Sequence, residues 1–201
     1  MGLFNKNKTA NVQISQRQML ENTVNNTRHN LLLVLAFTIV NIILLVTNAN
    51  TYFLFSAYVP YFLADLGMTF TGKYPPEVYG EDLSEWVFFN DSFLVIMLGI
   101  AAVVLLLYAL CWVFAKKSPK GWLTFALVLF SIDTVGLLFV AGISADLIID
   151  YVFHGWVIVS FAKGLSALKK LKDLPEEIVE ADFVEDEIAQ EEETAAVTVE
   201  E

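Results

Sequence analysis

Residues 145–162 read Ala-Asp-Leu-Ile-Ile-Asp-Tyr-Val-Phe-His-Gly-Trp-Val-Ile-Val-Ser-Phe-Ala. Whether this stretch crosses a bilayer decides the fold. Hydropathy alone does not decide it, because Asp146, Asp150 and His154 sit in an otherwise apolar run. The basic residues do. Lys6, Lys8, Arg17 and Arg28 precede a first apolar segment at 31–49, and Lys116, Lys117 and Lys120 lie between a second at 92–115 and a third at 122–142. Lys163, Lys169, Lys170 and Lys172 follow residue 162. If 145–162 is a fourth crossing, all of these fall on one side and only Lys73 on the other. With three crossings they split across both faces. Lys and Arg concentrate on the cytoplasmic side of membrane proteins, so the expected topology is four spans with both termini cytoplasmic.

Length supports each span. A bilayer core of about 30 Å takes roughly 20 helical residues at 1.5 Å each. Residues 92–115 carry no charge, and 122–142 carry only Asp133. The predicted fold is an all-α integral membrane protein of four transmembrane helices, arranged as two antiparallel hairpins. The first segment follows a long polar stretch with no small-x-small cleavage site close behind it, and reads as a retained signal anchor. Trp112 and Trp122 bracket the inner loop, where aromatic belts sit. The expected organisation is a polar N-terminal segment at 1–29, a transmembrane domain at 30–166, and a basic juxtamembrane stretch with an acidic tail at 167–201.

Composition agrees once it is divided by position. The 201 residues are 56% hydrophobic and 17% charged, with a mean hydropathy of +0.58. Soluble domains run at roughly 45–50% apolar and 25% charged. The net charge of −11 looks inconsistent with a membrane chain until the thirteen acids from Asp173 to Glu201 are set aside, which leaves +2. A tail of like charge is expected to be disordered and solvated. A docking motif is the alternative, because Ile178, Val179, Phe183, Val184 and Ile188 alternate with acids. One Cys and two His exclude a disulfide scaffold or a Cys/His metal centre. Twelve Lys and Arg argue against nucleic-acid binding. Neither a cofactor nor a metal is implied.

The loop at 50–91 is the only sizeable segment on the far side. From Asn30 to Ala64 there is no charge, and a single helix over that distance would reach about 52 Å. The chain must therefore leave the membrane near Asn48–Asn50. The aromatic run at 52–64 is then expected to lie along the interface or to re-enter shallowly, with Pro60 breaking or kinking it. Glu81 to Asn90 reads as a short helix, with Trp86, Phe88 and Phe89 toward lipid. The loop acids match no calcium-loop spacing and read as a solvated face. At the N-terminus, Ile14, Met19, Leu20 and Val24 give a weak helical pattern, consistent with a surface helix or disorder. Lys6 in place of Ser or Thr leaves myristoylation unsupported.

Ionisable side chains within transmembrane helices are functional candidates by default. Asp146, Asp150 and His154 fall on one helix face at i, i+4, i+8. Asp133 and His154 are equidistant from the turn near Ile143–Ser144, which predicts them level. Ala126 and Gly136 on the face of Asp133 would allow close helix approach, and Asn41 lies at comparable depth. Ser131 and Thr124 face elsewhere and read as bonding their own backbone. The cluster Asp133, Asp146, Asp150, His154 and Asn41 reads in two ways. It is a proton, ion or headgroup site in which His supplies a titratable group near neutral pH, or it is interhelical hydrogen-bond glue. Lys163, Lys169, Lys170 and Lys172 are candidates for contact with anionic lipid, or they only set topology. Cys111 lies deep in the second span as a core or lipid-facing residue. Ser160 and Gly164 form a small-xxx-small packing pair, and no nucleotide-binding or zincin motif occurs.

Ser131-Ile-Asp133-Thr, Ala145-Asp-Leu-Ile-Ile-Asp150-Tyr-Val-Phe-His154 and Tyr52-Phe-Leu-Phe-Ser-Ala-Tyr-Val-Pro-Tyr61 together resemble a group of small four-span membrane proteins of Gram-positive bacteria, over about residues 29–166. That group carries no established activity, so the resemblance implies no catalytic residue. In size alone the chain is also similar to small multidrug transporters. Their first span carries an essential carboxylate, where this one offers only Asn41. Three functions follow. The leading one is an accessory or interaction protein of the cell membrane, working through the lipid bilayer, a homo-oligomer or a partner membrane protein. The alternatives are a small oligomeric proton- or ion-coupled transporter and an enzyme acting on lipid.

Overall fold

A computed structural model of the chain describes residues 3–49, 51–80 and 86–174, with the backbone alone for 3–15 and Asp146. The expectations for the acidic tail at 175–201 and for Glu81, Asp82 and Glu85 lie outside the described residues. Five helices order the chain: α1 at Leu3–Val46, α2 at Tyr58–Phe70, α3 at Asp91–Phe114, α4 at Pro119–Ala141 and α5 at Ile148–Asp173. Among the described residues there is no strand. All of these helices but α2 are long and apolar enough to cross a bilayer, the stretch within α1 being Gln16–Val46.

Local chemistry sets the boundaries. Asn90 caps α3, its side chain accepting from the Ser92 amide at 3.1 Å. Pro119 opens α4 in the first turn, where its missing N–H costs nothing. Gly142, at φ +67°, turns the chain out of α4 with a backbone that residues bearing a Cβ rarely adopt. Leu174 is extended after α5, as suits the residue before Pro175. The weak N-terminal pattern resolves as helix continuous with the first span. The basic stretch after residue 162 is likewise helical, prolonging α5. Residues 145–147 form a separate 3-10 turn.

One stripe on each helix builds the core. On α4 the buried residues are Leu123, Ala126, Phe130, Asp133 and Leu137, and on α5 they include Phe153, His154, Val157, Phe161 and Gly164. Their spacing of three and four is the period of one helix face. Leu31, Val34, Tyr108 and Cys111 close the same core from α1 and α3. The periodicity that packs the apolar residues therefore also carries Asp133 and His154 inward.

The helices α1 and α5 meet closely. A Cβ on Gly164 would lie 2.5 Å from the Thr27 hydroxyl. That hydroxyl donates to the Ser160 carbonyl at 3.1 Å, and the Asn30 amide donates to the Ser160 hydroxyl at 2.7 Å. Small residues allow such an approach, and the polar contacts add to it.

Of the two courses expected for the segment after α1, the backbone follows the inward one. The chain turns at Asn48, runs back between the long helices as irregular backbone, and starts α2 beside the middle of α4. Pro60 neither breaks nor kinks the helix, because it stands in the first turn of α2, where no intrahelical N–H bond is lost. The short helix expected up to Asn90 is also absent over residues 86–90, which are non-helical. Aromatic contacts hold this stretch, with Trp86 and Phe88 against Tyr79 and Phe89 against Phe70.

Candidate functional site

Irregular backbone packed among apolar helices needs a partner for each N–H and C=O, because apolar side chains offer none. The re-entering segment obtains them from side chains of α1 and α4. The carboxamide of Asn41 takes Phe53 at both ends: its Nδ2 donates to the Phe53 carbonyl at 2.6 Å, and its Oδ1 accepts from the Phe53 amide at 2.8 Å. The same Nδ2 reaches the Ser56 hydroxyl at 3.0 Å, which also bonds the Tyr52 hydroxyl at 2.9 Å. Three residues before Asn41, the Thr38 hydroxyl accepts from the Ala57 amide at 2.8 Å and donates to the Val34 carbonyl.

The first turn of α2 is completed by Asp133. A helix start leaves N–H groups without intrahelical partners, and Ala57 at the N-cap has no side chain that can accept. Asp133 accepts from Tyr58 N–H through Oδ2 at 2.9 Å and from Val59 N–H through Oδ1 at 2.7 Å. Pro60 brings no N–H. With Ala57 served by Thr38, each donor of this turn has an acceptor. The approach requires Gly136, one turn along α4 from Asp133: a Cβ there would sit 2.9 Å from Val59 Cγ2.

His154 closes the site from α5. Its Nε2 lies 3.2 Å from Asp133 Oδ2, and its Nδ1 lies 2.8 Å from the Asp150 carbonyl. A carbonyl only accepts, so Nδ1 is assigned the hydrogen. The contact on the other ring nitrogen then needs one further proton, on Nε2 or on Oδ2. Phe130 stacks on the imidazole with ring centres 5.0 Å apart, and Phe153 meets it edge-on. Asp133 and His154 are each 2% exposed. The N-terminus of α2, which faces this carboxylate, offsets part of its burial.

The five candidates therefore divide. Asp133 and His154 touch. Asn41 serves the same segment through separate bonds. Asp150 is half-buried and contributes its carbonyl. The backbone of Asp146 lies in the 3-10 turn, and its side chain is outside the described ones. Thr38, Ser56 and the amides of residues 57–59 belong to the site but did not figure in the sequence reading. The available signal was Thr38 and Asn41 sharing one face in the middle of an otherwise apolar span.

Nearer the far end, Tyr74 donates to Asp65 at 2.5 Å. Burial first, and then that bond, push its hydroxyl above the ordinary tyrosine range. Lys73 pairs with Asp91 at 2.7 Å, both well exposed. Among the described residues no group of three or more His, Cys, Asp or Glu could hold a metal ion. Cys111 is buried. Thr124 and Ser131 bond the carbonyls four residues back. Lys163, Lys169, Lys170 and Lys172 are exposed on the end of α5.

Comparisons with protein-family models, curated proteins and solved structures found no match to this chain.

Proposed function

We propose that the chain is an accessory or interaction protein of the cell membrane, crossing it four times with both termini cytoplasmic. One observation carries this reading. Both oxygens of the Asp133 carboxylate are already engaged by backbone amides of α2, and His154 takes up one of them again. A group that must bind and release an ion needs free ligand positions, and three contacts on this carboxylate already serve the start of α2 and His154. The long helices leave wide apolar faces for lipid or partner helices. Within α3 only Ala101, Tyr108 and Cys111 are buried.

The experiment is crosslinked capture of the full chain from native membranes, with identification of bound proteins. A stoichiometric membrane partner is expected. Recovery of the chain alone would overturn the reading. The transporter alternative rests on the proton carried by Asp133 or His154 at their contact. It requires pH-driven flux in liposomes that disappears in His154→Gln.

A further inference from the structure

The face between α1 and α5 carries a groove of about 180 Å³, lined by Asn30, Leu33 and Phe37 on α1, Phe55 on the re-entrant segment, and Phe153 and Trp156 on α5. Its wall is apolar except at Asn30. Leu33, Phe55 and Trp156 are each close to half exposed, so the groove opens sideways, toward lipid. Phe55 closes one end against Phe153, with ring centres 4.7 Å apart. It does so at φ +75°, a strained conformation for a bulky residue. Asn41 holds Phe53 on one side and Thr38 holds Ala57 on the other, so the neighbouring bonds maintain that backbone.

The other end is polar. Lys163 follows Trp156 by seven residues, which places it on the same face of α5 about 10 Å further along. Asn26 stands one turn below Asn30 on α1. Both are exposed. Apolar walls thus lead to an amide and a cation along one face. That order, apolar wall first and then a cation, matches an acyl chain leading to an anionic headgroup.

We propose that this groove binds one anionic phospholipid of the bilayer, an acyl chain lying against Phe37, Phe55 and Trp156 and the phosphate meeting Lys163. The test is native mass spectrometry of the full chain in mild detergent, titrated with dioleoyl phosphatidylglycerol or dioleoyl phosphatidylcholine. Wild type is expected to retain one phosphatidylglycerol at about five-fold lower concentration than phosphatidylcholine, the scale set by one basic side chain at an anionic surface. Lys163→Gln removes that preference and keeps chain binding. Leu33→Trp fills the groove and loses both lipids, with unchanged elution volume and melting temperature showing that it folds. Should Leu33→Trp fail to fold, Phe55→Gly relieves the strain and opens the end of the groove, and weaker retention of both lipids is expected. Equal retention of the two lipids by wild type overturns the proposal. So does retention at the wild-type level by the folded groove variant.

Discussion

Replacing Asp133 by Asn changes one atom in the site and tests its logic. The carboxamide keeps an oxygen for the Val59 amide, now 2.7 Å from Oδ1. Its NH₂ replaces Oδ2, turning a donor toward Tyr58 N–H, where an acceptor stands at 2.9 Å. The same NH₂ can still donate to His154 Nε2. The net loss is one buried N–H without a partner, about 1–3 kcal/mol. Opening of the first turn of α2 should therefore become roughly 5- to 150-fold more frequent. Hydrogen exchange read by mass spectrometry on peptides spanning 54–62 measures this directly in detergent or nanodiscs. A core peptide spanning 103–111 serves as the internal reference. Asp133→Leu removes both acceptors and leaves His154 facing an apolar group, so its effect should exceed that of Asn and reach the 3–5 kcal/mol typical of a broken buried pair. Exchange in 54–62 that matches wild type in the Asn variant, with 103–111 also unchanged, would refute the capping role.

Thr38→Val strips the acceptor from the Ala57 amide and should raise exchange in the same peptide, by about 1–3 kcal/mol of local stability, while leaving the His154 contact intact. Gly136→Ala places a Cβ 2.9 Å from Val59 Cγ2 and should push α2 off Asp133, destabilising the fold by about 1–3 kcal/mol, the range typical of overpacking, read as a lower melting temperature in detergent. Gly164→Val should separate α1 from α5 at Thr27, seen as loss of an engineered crosslink between those helices. Tyr74 holds its proton more tightly when folded than when unfolded. Its contribution to stability is therefore intact below the unfolded pKa of 10.0 and declines as pH rises above it. Tyr74→Phe should weaken that alkaline decline in a melting-temperature series from about pH 9 to 11.

Much of the fold was legible because transmembrane segments announce themselves by length and apolarity. The period of three and four on α4 and α5 further placed Asp133 and His154 on buried faces. The course of residues 52–64 stayed open between two alternatives, for a physical reason. Hydropathy measures whether side chains tolerate lipid, and residues 52–64 tolerate it whether they lie at an interface or run inward. What distinguishes the two is whether backbone groups find partners, and those partners sit at Thr38, Asn41 and Asp133, up to 95 residues from Thr38 to Asp133. Pro60 misled for a related reason. A proline is disruptive in a helix interior and harmless in a first turn, and its position depends on where the helix begins. That start is fixed by Asp133, not by the local sequence.

A carboxylate suits this position better than the hydroxyl or amide that caps most helices. Two amides, Tyr58 and Val59, present themselves together, and a carboxylate has two oxygens and no hydrogen to turn the wrong way. A serine would accept from one and leave the other bare in a medium that supplies no water. The cost of the charge is offset locally, since the N-terminus of α2 carries the equivalent of roughly +0.5 charge and His154 approaches from the opposite helix. Each ionisable group thus compensates the burial of another part of the same assembly. An intramembrane Asp–His pair is usually taken first as a conduction or transport site. Here it answers a prior requirement: a segment that folds back among apolar helices begins a helix there, and the N–H groups of that first turn need an acceptor, which Asp133 on α4 supplies.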